Sequence, residues 1–332
     1  MGSLVLSCFI PKVFSSSTST RILCSSSEIQ VSKRQVLQQV DRELINGNGL
    51  AALSLVKDLQ GKPGGLRFFG AARQVPQRLY TLDELKLNGI DTLAILSPVD
   101  GTLASIERNL QLAAVSGVVV AWNVFGFNPL QILCLSLAVL FLWILDLVSF
   151  YGGVGSLVLD TIGHTFSQEY HNKVIQHEAG HFLIAYLGGI LPMAYTLSSL
   201  EAFKKDGSLN GQAGLKFVNF ELLEEVNTGR VSATTVNRFS CMLLAGAATE
   251  YLLYGYADGG FGDIYMLDGF LEDLGFTQEE ADSQVRWSLL NTVLLLRRHD
   301  VARARLAEAM NMGKSVGTCI EIIEDSIDEA DI

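Results

Sequence analysis

Residues 165–189 read TFSQEYHNKVIQHEAGHFLIAYLGG, and this stretch decides how the rest of the chain is interpreted. A helix is predicted to run through Val174, Ile175, Phe182 and Ile184, and Gly188-Gly189 provides its stop. The helix is predicted to begin near Thr165, because Gln168 follows three positions later in a weak capping-box pattern.

Two histidines, His177 and His181, lie on the same face of this predicted helix, because a helical turn takes about 3.6 residues. Both imidazoles can therefore bind one cation. Glu178 is adjacent but rotated away from the ligand line, where it can act as a general base. Imidazole and carboxylate ligands suit zinc, which keeps a further position for water. The spacing predicts a zinc-dependent hydrolase.

A histidine pair at this spacing also occurs by chance on helix surfaces, or as hydrogen-bonded core residues. Gly180 favours a built site, because glycine costs about 1 kcal/mol relative to alanine inside a helix and usually marks a close approach. The helix is otherwise apolar, and two imidazoles and a carboxylate would be costly to bury without partners. We therefore expect a metal site.

A third ligand has to come from another segment. The pattern of residues 239–256 (FSCMLLAGAATEYLLYGY) predicts a second helix. Its small residues at 245–248 allow another helix to pack closely, and Glu250 falls on a stretch predicted to be buried. A glycine-rich loop follows at residues 258–264. Its glycines give the backbone freedom to bring an aspartate back to the metal.

Three motifs in this order resemble the peptidase domain of FtsH-type zinc metalloproteases. They are HEAGH at residues 177–181, LAGAATE at 244–250 and GGFGDI at 259–264. The resemblance covers about residues 173–325. Order and spacing together make it specific, whereas each of the later motifs alone is weak.

The resemblance implies a mainly α fold, namely a membrane-anchored, helical zincin-type peptidase domain of FtsH type with minor β structure. It implies that zinc is the cofactor, with His177, His181 and Asp263 as its ligands. It also implies that Glu178 is the catalytic base and that Glu250 lies beside the site, in contact with a ligand or as an outside ligand candidate.

One part of the family pattern is missing from this sequence. FtsH proteins carry an AAA ATPase module between membrane segment and peptidase, whereas here only residues 151–172, interpreted as a linker, separate the two. The nearest match to a phosphate-binding loop, at residues 313–315, has Glu308 where its first glycine should be, and we predict no nucleotide site. The chain thus resembles plant plastid FtsH-like peptidases that lack the motor.

Residues 129–150 (PLQILCLSLAVLFLWILDLVSF) contain Asp146 as their one strongly charged residue. A helix of this length can cross a hydrocarbon layer of roughly 30 Å, and we predict a transmembrane span. Residues 112–127 are a possible first span, and Asn128-Pro129 would suit the tip of a helical hairpin. The alternative is a buried core helix of a soluble fold.

Residues 1–27 carry Lys12 and Arg21, no acidic residue and long serine runs, which is typical of an organelle transit peptide; a secretory signal is the alternative. The excess of serine favours a chloroplast membrane, thylakoid or envelope, over the mitochondrial inner membrane. Residues 28–110 predict a helical pre-domain of unknown role. Residues 326–332 are interpreted as an acidic tail, and the acid-rich stretch 321–331 as a solvated helix end.

Composition excludes several classes of protein. The chain has 332 residues, of which 49% are hydrophobic and 18% charged, so an intrinsically disordered chain is excluded. The net charge of −11 offers no basic surface for a phosphate backbone, and we predict no nucleic-acid partner. The five cysteines form no C-x-x-C pair, which argues against a disulfide framework or a cysteine zinc finger.

We expect a membrane-anchored zinc endopeptidase that cleaves unfolded or membrane-proximal proteins. It could form a homo-oligomer or associate with ATP-dependent proteases. One alternative is a non-catalytic membrane scaffold that partners such proteases. His164, His171 and His299 have no motif partner and are interpreted as structural or solvated.

A second alternative is an intramembrane site-2-type protease, because Leu267-Asp268-Gly269 follows the HEAGH motif and would make Asp268 the third ligand. Against it stand the acidic residues around this segment. A charge at the centre of a bilayer costs about 2.5 to 3.5 kcal/mol per residue even on permissive scales.

Overall fold

The computed structural model describes residues 33–99, 101–207, 209 and 211–328. Over these residues the protein is mainly helical with two short strands, so the predicted mainly α class with minor β structure is confirmed. The predicted transit peptide, residues 1–27, lies outside the described residues. The elements are α1 (residues 33–45), α2 (Gly49–Leu59), α3 (Leu82–Leu87), α4 (Thr92–Leu96), α5 (Gly101–Phe125), α6 (Pro129–Phe150), α7 (Gly153–Phe166), α8 (Gln168–Gly188), β1 (Pro192–Thr196), α9 (Ser199–Asp206), β2 (Gly214–Phe217), α10 (Phe220–Asn227), α11 (Ala233–Leu243), α12 (Ala245–Tyr254), α13 (Phe261–Asp273), α14 (Gln278–Arg298), α15 (Asp300–Asn311) and α16 (Val316–Ser326).

Helix α8 is the central element, and its second half is buried against α11, α12 and α15. The predicted start near Thr165 is wrong, because Thr165 lies in the last turn of α7. Ser167 is the N-cap, and its hydroxyl accepts a hydrogen bond from the Tyr170 amide. At the other end Gly189 adopts the left-handed conformation (φ 81°) that the predicted stop requires.

The segment before α5 and α6 shares its core with the segment after them. Buried residues between 37 and 95 and between 175 and 327 form one hydrophobic cluster, which includes Val40, Phe68, Phe182 and Ile323. The backbone of residues 70–72 also contacts the end of α8, where the amides of Gly70 and Ala72 donate hydrogen bonds to the carbonyls of Tyr186 and Leu187. The two segments therefore stabilise each other.

Helix α16 contradicts the interpretation of residues 321–331 as solvated, over the part that the structure describes. The Glu324 side chain is fully buried and accepts hydrogen bonds from the amides of Arg67 and Phe68 and from the Tyr186 hydroxyl. Lys33 in α1 lies 3.2 Å from the Asp325 carboxylate. The two ends of the described chain are thus in contact.

Helices α5 and α6 are joined by residues 126–128 and contact each other. Among the residues that the structure describes, α6 is the one helix long and apolar enough to cross a membrane, and none of its 22 residues is buried. Asn128 caps it, paired with Gln131 in a capping box. The possible first span at 112–127 covers the second half of α5 and the two residues after it. We refer to residues 112–150 as the apolar hairpin.

The predicted linker, residues 151–172, is helical along most of its length. Tyr151 and Gly152 adopt left-handed conformations and turn the chain from α6 into α7. Asp146, to which no role was given from the sequence, accepts hydrogen bonds from the amides of Val154 and Gly155. Its carboxylate therefore satisfies the free amides at the start of α7.

The two strands follow α8 and form an antiparallel pair, with Ala194 opposite Lys216. They pack against α8, and residues of β2 line the same cleft as the histidines of α8. The small sheet therefore forms one wall of the candidate site.

Candidate metal centre

The structure brings His177, His181 and Asp263 to one point. His177 Nε2 lies 3.0 Å from His181 Nε2 and 3.0 Å from Asp263 Oδ2, and His181 Nε2 lies 3.2 Å from Asp263 Oδ2. Zinc ligands at bond lengths of 2.0–2.2 Å in tetrahedral geometry stand about 3.3 Å apart, so the three atoms have the mutual spacing of a metal site. Among the described residues, these three side chains form a group whose ligand atoms could hold one metal ion.

The outer nitrogen of each imidazole fixes its protonation. His181 Nδ1 lies 2.7 Å from the carbonyl oxygen of Met242, and His177 Nδ1 lies 2.7 Å from Glu250 Oε1. A carbonyl or carboxylate oxygen accepts, so both Nδ1 atoms carry the proton in the neutral rings. Both Nε2 lone pairs then point at the carboxylate of Asp263. With the rings in this neutral form, three acceptors converge on one point, where a bound cation or an added proton is stabilised.

The electrostatics of the site agree with this. Burial alone would lower the pKa of His177, but its hydrogen bonds with Asp263 and Glu250 outweigh burial and raise that pKa well above the ordinary value. Burial alone would raise the pKa of Asp263, yet the charge of His181 and the hydrogen bond with His177 lower it. The site therefore favours positive charge between the imidazoles and an ionised Asp263.

Glu178 faces the same cleft as the three ligand atoms. Its side chain is buried, and its Oε2 atom has no hydrogen-bond partner in the described part of the chain. Burial raises the pKa of this carboxyl above its usual value. A carboxylate with a raised pKa and a free oxygen is suited to take up and release a proton during a reaction.

Two glycines make room for this arrangement. A Cβ atom on Gly180 would meet the hydroxyl of Thr249 and lie 2.9 Å from the carbonyl of Ala245, so glycine lets α8 pack closely on α12. A Cβ atom on Gly246 would overlap the imidazole of His177. The small residues at 245–248 thus serve the close approach that the sequence predicts, and one of them leaves space for a ligand ring.

Two predicted elements differ in detail. The helix over 239–256 is broken at Leu244 into α11 and α12, and the break brings the Met242 carbonyl to His181. The glycine-rich loop is shorter than predicted, because Gly260 (φ 87°) begins α13 and Asp263 lies in the first turn of that helix. A short helix therefore holds the aspartate more firmly than a loop would.

The remaining predicted site residues lie farther out. Glu250 contacts the outer nitrogen of His177, and its Oε2 atom accepts hydrogen bonds from the amides of Asp258 and Gly259. It therefore supports the His177 ring rather than facing the point where the atoms of His177, His181 and Asp263 meet. Asp268 is exposed on α13, and the group of ligand atoms found within the described residues does not include it.

Sequence reasoning gave no role to Lys173 and Asp258, which are buried beside the site. Lys173 Nζ lies 2.9 Å from Asp258 Oδ2. The sequence did contain a signal for Lys173, because it precedes His177 by four residues on the same helix face.

Of the histidines interpreted as structural or solvated, His164 and His171 contact each other through their Nδ1 atoms at 2.9 Å, and His299 is buried at the start of α15.

The site opens into a cleft of about 730 Å³. Its walls come from α8, from β2, from the residues around Met242 and from the start of α13, where Phe261 and Met266 are exposed.

Comparison of the chain with models of protein families, with curated proteins and with solved structures found no match.

Proposed function

We propose that the protein is a membrane-anchored, zinc-dependent endopeptidase. The observation that carries this proposal is the convergence of His177 Nε2, His181 Nε2 and Asp263 Oδ2 next to the unpaired oxygen of Glu178, inside one open cleft. Two imidazoles and a carboxylate beside a candidate base are the composition of a catalytic zinc site. The order of the three motifs, which resembles FtsH-type zinc metalloproteases, supports the same reading.

The donor set fits zinc by its chemistry. Both imidazoles have their outer nitrogens bonded to oxygen acceptors, as histidine ligands of metals generally do, and the third ligand is an ionised carboxylate. A bound zinc ion would polarise a substrate carbonyl and lower the pKa of water to about 7. Protein residues then have to orient the substrate and move one proton.

Glu178 is the group that moves this proton. Its free oxygen takes a proton from the attacking water and delivers it to the leaving amine of the cleaved peptide bond. The raised pKa suits this double role, because the carboxyl has to hold the proton between the two transfers. His177 and His181 are held in place by Glu250 and by the Met242 carbonyl, so neither ring has to move.

The substrate is an extended segment of another protein. The cleft runs between β2 and the start of α13, and it is large enough to take several residues of a chain that is not folded. The apolar hairpin supports a membrane location, because side chains such as Phe141 and Trp143 are more than 60% exposed. We propose a chloroplast membrane, from the composition of residues 1–27, and membrane-proximal or unfolded proteins as substrates.

The test is the variant Glu178→Gln in the mature, detergent-solubilised protein. We expect this variant to retain one zinc per chain and to lose cleavage of an unfolded substrate such as casein by about 10²–10⁴-fold, the usual contribution of a general base. Cleavage by the wild type should also stop when a chelator removes the metal.

Two further variants separate the alternatives. Asp263→Ala should lose zinc while Asp268→Ala keeps it; the reverse result would favour the intramembrane site-2 type. If zinc-loaded wild type cleaves nothing and Glu178→Gln fully replaces it in the cell, the chain is a non-catalytic scaffold and the endopeptidase proposal is wrong.

A further inference from the structure

Lys173 and Asp258 form a buried polar junction beside the metal centre. Besides its ion pair with Asp258, the ammonium group of Lys173 lies 2.9 Å from the hydroxyl of Thr102 and 3.4 Å from that of Tyr256. Both members of the ion pair are at least 95% buried. A buried pair of charges with these additional hydrogen bonds holds its neighbours in one geometry.

One side of this junction is the first turn of α5. Asp258 Oδ1 accepts hydrogen bonds from the amides of Gly101 (2.6 Å) and Thr102 (3.2 Å), and its other oxygen accepts from the Thr102 hydroxyl. The backbone adds a bond from the Val99 amide to the Ala257 carbonyl. The loop that carries Asp258 is therefore fixed to the start of the helix that continues into the apolar hairpin.

The other side of the junction is the support of a ligand. The amides of Asp258 and Gly259 donate to Glu250 Oε2 at 2.6 and 2.8 Å, and Glu250 Oε1 in turn accepts the Nδ1 proton of His177. The path from the start of α5 to His177 thus consists of Asp258, its backbone and Glu250. A shift of α5 would move the two amides that orient the Glu250 carboxylate.

We propose that Asp258, held by Lys173, is a positioning residue that makes the orientation of His177 depend on the placement of α5 and hence of the apolar hairpin. This inference rests on the proposed function only in so far as His177 is a metal ligand. The contacts between α5, Asp258 and Glu250 are a property of the chain itself. They can be tested in the metal-free protein as well as in the metal-bound form.

The experiment uses the full chain in detergent and changes the α5 side of the junction. Thr102→Val removes the hydroxyl without touching Glu250 or His177, and Thr102→Ser restores it. Thr161→Val is the matched control, because the Thr161 hydroxyl is also partly buried but bonds the Leu157 carbonyl within α7. Circular dichroism and thermal unfolding establish that each variant is folded.

Two readouts are needed. In metal-free protein, hydrogen exchange of the amides of Asp258 and Gly259 should become about fivefold faster in Thr102→Val, the factor for one hydrogen bond of ordinary strength. In cobalt-loaded protein, the visible absorption bands of the metal should shift, and the dissociation constant should rise by a similar factor. Thr102→Ser and Thr161→Val should behave like the wild type in both measurements.

Unchanged exchange in Thr102→Val would overturn the inference, as would faster exchange with an unchanged cobalt spectrum and affinity. If the wild type binds no metal at all, the proposed function fails; faster exchange in Thr102→Val would then still support the link from α5 to Glu250. Asp258→Asn serves as a second variant at the centre of the junction. It should exceed Thr102→Val in both effects, because it also breaks the ion pair with Lys173.

Discussion

Two regions of the molecule differ in which side chains they bury: the core around α8 buries charged groups, whereas the apolar hairpin exposes apolar ones. In the core, charged groups such as Lys173, Glu250 and Glu324 are buried, and each has partners. In the hairpin, leucine, phenylalanine and tryptophan side chains are exposed along both helices. The core is stable in water because its buried charges are paired. The exposed apolar side chains of the hairpin call for an apolar medium, which we propose is a bilayer.

The largest effect on metal binding is expected at Gly246, where the core is most tightly constrained. Gly246→Ala places a methyl group on the imidazole of His177, so the ring has to leave the point where the three ligand atoms meet. We expect the dissociation constant for zinc to rise by about 100-fold or more, as measured by competition with a chromophoric chelator.

Gly269→Ala is the matched control for this substitution. Outside the nearby backbone of its own helix, α13, a Cβ atom there meets no atom of the described chain within 4 Å. It should leave zinc affinity unchanged and stabilise the protein by roughly 0.5–1 kcal/mol, because alanine loses less backbone freedom in a helix. Normal zinc binding by Gly246→Ala would mean that His177 binds no metal in the position described.

Glu324→Ala tests whether a buried charge in the core depends on its partners. The substitution leaves the amides of Arg67 and Phe68 and the hydroxyl of Tyr186 without their acceptor. We expect the free energy of unfolding to fall by roughly 3–5 kcal/mol in chemical denaturation. Glu321→Ala, which removes only an ion pair with the exposed Arg34, should cost less than about 1 kcal/mol. Equal losses in both variants would contradict the role of Glu324.

Leu140→Lys tests the hairpin. Leu140 lies near the middle of α6 and is 48% exposed, so a lysine there should barely change the fold in water. In a bilayer it should cost about 2.5–3.5 kcal/mol, which reduces association with liposomes by roughly 100-fold in a flotation assay. Leu87→Lys, at an exposed site outside the hairpin, is the control. Equal flotation of both variants would contradict a bilayer-embedded α6.

The smallest effect is expected at Asp160, which links α7 to the core. Burial alone would raise its pKa, but hydrogen bonds with His164, the Ser199 amide and the Tyr170 hydroxyl lower it. The carboxylate therefore stabilises the fold above the ordinary aspartate pKa of about 3.9, and this contribution is lost as the pH falls below that value.

Asp160→Asn should consequently cost about 1 kcal/mol at pH 6 and less at pH 3.5, as measured by urea denaturation at both values. Asp268→Asn, at an exposed position, is the control and should show no such difference. A cost that is equal at both pH values would show that the charge of Asp160 does not stabilise the fold.

The sequence predicts the local part of this structure well. The helical class, α8 with its glycine stop and the helical course of α6 follow from periodicity and composition, which act over a few residues. The shared face of His177 and His181 on α8 likewise follows from a spacing of four. The predicted third ligand, Asp263, came from the resemblance and not from the local pattern.

Features that depend on distant contacts could not be predicted. The break at Leu244 places a carbonyl against His181, sixty-one residues away in the sequence. Glu324 belongs to a strongly acidic stretch and reads as solvated, yet it is buried because amides more than 250 residues away need an acceptor. Asp258 lies in the predicted loop, but its contact with the start of α5 exists only once the chain has folded.

The contact between Lys33 and Asp325 has a consequence for the topology of the chain. Residues 33–99 pack into the same core as residues 175–327, so the two halves are held together by their shared interior and not by the covalent link at residues 126–128. A chain nicked at these residues should therefore stay assembled. A circular permutant of the described part that joins residue 328 to residue 33 and opens at the same place should fold as well.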